Sequence, residues 1–305
     1  MLPIIILNAL LASTFTLGKV VLNYTKPVFF VGMSMVIGGI ILFSYQLFTA
    51  RHKLIIQKKD LWLFFQVSFF TIFLSYVLQF WGMNYMPSSK ACLLYNFGPF
   101  TSYLIAYLFF KEKMSFKKWA GLTLGFIGLF PILMTTTPRE EFLQGMFFIS
   151  FPEIAVIISA AAYSYGWFII RELVHERHYS PLTLNGYSML TGGTLALCTV
   201  PVLEGPIVIH DFYPFFGLLA STIIIEYMIC NNLYARLLDK YSETFLSLTT
   251  FSIPVFGGFY GWIFLNERIS WNYLLSCLIL FIAIRMFSSA EKGGRHRPKK
   301  NREFI

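Results

Sequence analysis

Charge is what this sequence has least of. Only 13% of its 305 residues are Asp, Glu, Lys or Arg, about half the share of an average soluble domain. With 56% hydrophobic residues and a mean hydropathy of +0.64, this scarcity excludes an ordinary water-soluble fold. Histidine is scarce as well. His52, His175, His178, His210 and His296 all fall in connecting segments or the tail, so no imidazole relay through a core is expected. The run His175-Glu176-Arg177-His178 lacks the His-Glu-x-x-His spacing of a zinc helix, and neither metal nor cofactor is expected. Cysteine is limited to Cys92, Cys198, Cys230 and Cys277, all inside apolar stretches, where they read as packing residues rather than disulfide partners. Long polar loops are absent too. That leaves no room for a soluble catalytic or nucleic-acid-binding domain, and no ATP motif occurs.

What is present is a series of apolar runs of membrane-spanning length. Ten are predicted: Met1–Gly18, Pro27–Ala50, Leu61–Ser89, Ala91–Phe110, Trp119–Pro138, Ile154–Ile170, Pro181–Leu203, Phe212–Ala235, Thr244–Asn266 and Ile269–Ile284. Backbone amides in lipid must be paired within the segment, and the runs show no two-residue alternation, so they are helices rather than barrel strands. The expected fold is all-α, polytopic and bilayer-embedded. Met1–Gly18 has no basic leader and no small-residue cleavage pattern, and is taken as the first helix rather than a signal peptide.

The charges that remain are unevenly placed. With a cytoplasmic N-terminus, 19 of the 24 Lys and Arg fall on the cytoplasmic side, leaving Lys19, Lys26, Lys90, Arg139 and Arg268 opposite. The bias puts both termini in the cytoplasm, as expected for a bacterial inner-membrane protein. The tail Glu291–Ile305 carries six of those basic residues without interleaved aromatics, and reads as a solvated topology signal rather than a nucleic-acid surface.

Landmarks recur at an offset of 154 to 155 residues. Pro27 matches Pro181, Gly38-Gly39 matches Gly192-Gly193, Pro99 matches Pro254, Glu112 matches Glu267 and Ser115 matches Ser270. Five helices per copy is an odd number, so the second copy enters the membrane from the opposite side. The Lys111–Lys118 loop is basic, whereas its counterpart Asn266-Glu267-Arg268 is not. Residues 1–138 are therefore assigned to one five-helix repeat, 139–152 to a linker, 153–288 to an inverted second repeat and 289–305 to a basic cytoplasmic tail. Inverted repeats are the architecture of alternating-access carriers.

On these residues the chain resembles the EamA branch of the drug/metabolite transporter superfamily, from Leu2 to Ser288. The pattern is carried by Pro99 and Glu112 with their basic neighbours and Ser115, by Pro254, Glu267, Arg268 and Ser270, and by Gly121-xxx-Gly125. It departs where the Trp-Gly-Ser common in the first helix is replaced by Ala12-Ser13-Thr14, and where an arginine often seen early in helix two is missing. The resemblance implies a ten-helix secondary carrier. Its aromatic richness is similar to carriers of S-adenosylmethionine in intracellular bacteria, which implies exchange against S-adenosylhomocysteine.

An acid inside a membrane helix needs a partner or a function, and Glu226 is the one acid within the predicted spans. It is a candidate substrate-binding or proton-coupling carboxylate, with an interhelical packing bond as the alternative. Tyr95, Tyr163, Trp167 and Tyr227 could face a cationic substrate through their rings, although interfacial belts and ordinary packing use the same residues. Asn8, Gln79 and Asn96 could hydrogen-bond a substrate or another helix. Pro99 and Pro254 are expected near the middle of equivalent helices, as hinges.

The reading that follows is a transporter of a small polar or cationic metabolite in the lipid bilayer, with no nucleic-acid partner, as a monomer or homodimer. A proton-coupled exporter of amino acids or drugs is the near alternative. An intramembrane enzyme is the distant one, because no nucleophile-and-base pair, paired acids or metal cluster lies within the helices.

Overall fold

A computed structural model of the chain describes residues 2–49, 54–110, 116–135, 137, 140, 143, 149–230, 233–234, 237, 249–250 and 252–294. Ten helical units emerge among the described residues. The first repeat holds α1 (Leu2–Val21), α2 (Pro27–Thr49), α3 (Leu61–Val67, Ser68–Leu74 and Ser75–Tyr85), α4 (Ser88–Tyr95 and Gly98–Phe110) and α5 (Phe116–Leu133). The second holds α6 (Phe151–Arg171), α7 (Pro181–Leu203), α8 (Phe212–Thr222 and Ile223–Cys230), α9 (Ser252–Leu265) and α10 (Trp271–Gly294). Exposed large residues such as Phe48, Val202, Trp262 and Phe264 stud the outside, as lipid contact requires.

The packing is reciprocal between the two copies. Helix α2 packs on α7 and α5 on α10, while α1 lies against α8 and α9 just as α6 lies against α3 and α4. The paired glycines do paired work. A Cβ on Gly39 of α2 would meet Leu190 Cγ of α7 at 2.8 Å, and one on Gly193 of α7 would meet Met35 Cβ of α2 at 2.8 Å. One residue earlier, Gly38 receives Tyr227 of α8 and Gly192 receives Ile72 of α3. The recurrence seen in the sequence is thus two sets of backbone-to-side-chain contacts across one interface.

The ends are reciprocal as well, and inverted. The α1–α2 connection meets the α7–α8 connection, where Thr25 bridges Ile209 and the His210 amide donates to the Tyr24 carbonyl at 3.0 Å. At the opposite end the α2–α3 connection meets the α6–α7 connection, where the Tyr179 hydroxyl donates to Asp60 at 2.7 Å and Arg177 pairs with the same carboxylate.

Several expectations change. The helix boundary expected between Ser89 and Ala91 lies at Met86-Pro87, so Lys90 belongs to the first turn of α4 rather than to a loop. Glu226 is not the only buried acid: Glu140 and Glu153 are both fully buried, with Lys90 between them. Pro99 and Pro254 do not interrupt continuous helices. Each stands in the first turn of a new helical piece, Gly98–Phe110 and Ser252–Leu265, where a missing N–H costs nothing. Glu112, Ser115, Arg139 and residues 295–305 lie outside the described residues.

Candidate functional site

Two helices lose α geometry at equivalent places. Ser68–Leu74 of α3 and Ile223–Cys230 of α8 are π-helical, and their first residues are separated by the same 155-residue offset as the prolines. A π-helical turn holds one extra residue and shifts the side chains that follow it. Such turns concentrate at functional sites. Gly166 of α6 and Gly192 of α7 lie against the α3 distortion, and Gly38 of α2 lies against the α8 distortion.

Glu226 stands inside the α8 distortion, and Tyr76 follows two residues after the α3 distortion. The Tyr76 hydroxyl donates to Glu226 Oε1 at 2.7 Å, so the bond joins the two repeats. In the first repeat the position matching Glu226 is Thr71, whose hydroxyl turns back to the Val67 carbonyl at 2.6 Å. The acid therefore breaks the internal symmetry at the point where the halves meet.

Around that pair the structure gathers rings from four helices. Tyr95 of α4 lies 5.9 Å from Tyr163 of α6, ring centroid to centroid, and takes the edge of Phe15 of α1 at 5.7 Å. Tyr95, Tyr163 and Tyr227 are all close enough to interact electrostatically with Glu226. Tyr76, Tyr95, Tyr163 and Glu226 lie deep in the protein, yet each keeps part of its surface accessible. A carboxylate set among tyrosine rings suits an ammonium or sulfonium cation. A cavity of about 520 Å³, lined by Trp262, Asn266, Glu267, Arg268 and Ile269, lies between α9 and α10, away from this cluster.

The remaining candidates divide. Asn96 sits at the turn between the two pieces of α4, with its side-chain nitrogen buried and without a hydrogen-bond partner among the described residues. Gln79 lies one turn beyond Tyr76 on α3 and is nearly buried. Asn8 is committed elsewhere, since its amide donates to the Thr249 carbonyl at 2.6 Å and to Ser252 at 2.9 Å, tying α1 to the start of α9. Trp167 packs behind Tyr163 with centroids 6.0 Å apart and is 40% exposed, and Tyr227 is pinned to α2 through Gly38 and a 3.4 Å hydroxyl contact with Ser34. Pro254 lends its carbonyl to the Tyr273 hydroxyl at 2.5 Å.

Sequence reasoning missed Tyr76. The available signal was its position three residues before Gln79 in an apolar run, which puts both on one helix face. It also missed the role of two acids that anchor helix starts by accepting from free first-turn amides. Glu204 takes Val28 N at 2.7 Å and Phe29 N at 3.1 Å at the start of α2, and Glu267 takes Ser88 N at 2.6 Å and Ser89 N at 3.0 Å at the start of α4.

Ten apolar helices in two inverted, interlocked copies, with an acid and clustered rings where they meet, define a multi-pass membrane transporter of the inverted-repeat class. The sequence profile described as the EamA-like transporter family matches residues 1–134 and 150–289. The chain belongs to that family. It is 30% identical over 292 residues to the S-adenosylmethionine/S-adenosylhomocysteine transporter of Chlamydia muridarum, covering 94% of this chain and 91% of that one. Identity to the transporter of the same description in Chlamydia trachomatis serovar D is also 30% over 292 residues, and to the uncharacterized transporter YoaV of Bacillus subtilis 27% over 295. A solved structure described only as a crystal structure of a protein superposes with a TM-score of 0.63 at 15% identity, covering 97% of this chain and 98% of that one, which supports the fold alone.

Proposed function

We propose that this transporter moves S-adenosylmethionine across the bacterial inner membrane in exchange for S-adenosylhomocysteine, with both termini in the cytoplasm and without enzymatic activity of its own. The observation that carries the reading is Glu226, bonded to Tyr76 of the other repeat and set among Tyr95, Tyr163 and Tyr227. S-adenosylmethionine offers an α-ammonium group and a sulfonium, and both suit a carboxylate and ring faces screened from water. Its adenine offers a further aromatic plane for stacking. S-adenosylhomocysteine keeps the ammonium group and the adenine but lacks the sulfonium charge, so the same site holds both. The description of the chlamydial relatives points the same way. Rocking of the repeats about the α2–α7 contact would expose the site alternately, with the Thr25–Ile209 and Asp60–Arg177 contacts parting in turn.

The test is uptake of labelled S-adenosylmethionine by vesicles containing the purified protein and preloaded with S-adenosylhomocysteine, beside a panel of amino acids, nucleosides and amines. Preloading should accelerate uptake, and the panel should compete poorly. Uptake of an amino acid in preference to S-adenosylmethionine would replace the proposed cargo.

A further inference from the structure

The Tyr76–Glu226 bond supplies from within the protein the contact that the proposed cargo would make. A carboxylate can stay deep in an apolar bundle only if a donor faces it, because an unpaired buried charge is costly. Here the donor is a phenol hydroxyl of the opposite repeat at 2.7 Å, about the distance an ammonium group would take. Tyr76 is itself held in place: its ring stacks on Phe80 at 6.5 Å, and Phe80 packs on Phe30 at 5.1 Å. Tyr95 and Tyr163 present rings nearby without a hydrogen bond of this kind to the acid.

We infer that Tyr76 is an internal stand-in for the cation of the cargo: its hydroxyl pairs with Glu226 whenever cargo is absent, which lets the transporter reorient empty and so perform net uptake as well as exchange. The inference rests on the carrier reading above and deepens it. When a cationic group takes Glu226, the Tyr76 hydroxyl is released, and the two donors compete for one acceptor. In the crossing without cargo, the hydroxyl keeps the acid paired while the site is shut off from both sides. A protein without this donor would cross efficiently only with cargo aboard.

The experiment separates the two modes. Labelled S-adenosylmethionine uptake is measured into vesicles holding buffer alone, which requires the empty return, and into vesicles preloaded with unlabelled S-adenosylmethionine, which does not. Tyr76→Phe keeps the ring and removes the donor. It should lower the ratio of net uptake to exchange by about tenfold, the scale of one lost hydrogen bond to a charged group. Equal loss in both modes, or no loss in either, overturns the inference, as does a wild-type protein that exchanges without any net uptake. A second measurement needs no cargo. Thermal unfolding midpoints of the wild type, Tyr76→Phe, Glu226→Gln and the double variant form a cycle in which the second substitution should cost clearly less than the first. Additive shifts show that the pair is not formed and overturn the inference. If the wild type moves S-adenosylmethionine in neither mode, the cargo assignment fails, and the cycle still decides whether the pair exists.

Discussion

Lys90 of α4 and Glu153 of α6 lie 2.6 Å apart in a site that leaves neither side chain more than 4% exposed. Glu140 completes the group at 2.8 Å from the same ammonium nitrogen, and the Thr135 carbonyl accepts from it at 2.5 Å. The two carboxylates are further tied to backbone: Glu140 accepts from Thr137 N and Glu153 from Ser150 N, each at 2.6 Å. Glu153 thereby also caps α6 in a reciprocal box with Ser150. One lysine thus gathers the start of α4, the start of α6 and the segment that joins the repeats.

Removing the lysine should be far worse than removing one acid. Lys90→Met leaves two buried carboxylates without a counter-charge, a loss of about 3–5 kcal/mol, enough to deplete folded protein from the membrane. Glu140→Gln leaves a neutral Lys90–Glu153 pair and keeps a hydrogen-bond acceptor, so about 1–2 kcal/mol is expected. Yields of monodisperse protein and unfolding temperatures of the two variants read the difference. Equal behaviour would show that Lys90 is not the counter-charge on which both acids depend.

The charge cluster also shows where sequence reading stops. A hydropathy scan treats Lys90 as a helix boundary, because the carboxylates that neutralise it lie beyond a whole further helix, in the linker and just past it. Glu153 was left one residue outside its predicted span for the same reason. The repeats, in contrast, were legible: a glycine pair that must receive a neighbouring helix tolerates no side chain, so Gly38-Gly39 and Gly192-Gly193 mark the interface directly. The π-helical turns have no residue signature, since Ser68–Leu74 and Ile223–Cys230 share no motif. Tyr76 was one tyrosine among 17 until the fold set it against Glu226.

The α2–α7 contact should be intolerant of even one carbon. Alanine normally stabilises a helix relative to glycine by roughly 1 kcal/mol. At Gly39 the added Cβ would meet the Leu190 nitrogen at 2.9 Å as well as its side chain, and a backbone atom in a packed helix cannot give way. Gly39→Ala should therefore lower the unfolding temperature, by a net cost of about 1–3 kcal/mol. Gly217→Ala in α8, with nothing within 4 Å of the new carbon, is the matched control and should be neutral or slightly stabilising.

The rings around Glu226 should discriminate charge from shape. Tyr95→Phe retains a ring face, whereas Tyr95→Leu removes it. Loss of a desolvated cation–π contact of about 0.5–2 kcal/mol would weaken S-adenosylmethionine by roughly 2- to 30-fold. S-adenosylhomocysteine, with no sulfonium charge, should lose less. The ratio of the two inhibition constants in the exchange assay measures this. A Tyr95→Leu variant that loses both ligands equally would assign the ring to adenine stacking instead.

Orientation can be fixed by two fusions. On the proposed topology the basic residues concentrate on the cytoplasmic face, and the α1–α2 and α7–α8 connections, which meet each other, lie at the opposite one. A phosphatase that is active only outside the cytoplasm should be silent when joined after residue 305 and active when joined to a chain truncated after Asp211. Glu204–Asp211 contains neither Lys nor Arg, so retaining it on the outside costs no positive-inside penalty. Reversed activities would place both termini outside. They would also turn the Asp60–Arg177 contact into the outward gate and the Thr25–Ile209 contact into the inward one, which reverses the order in which cargo meets them.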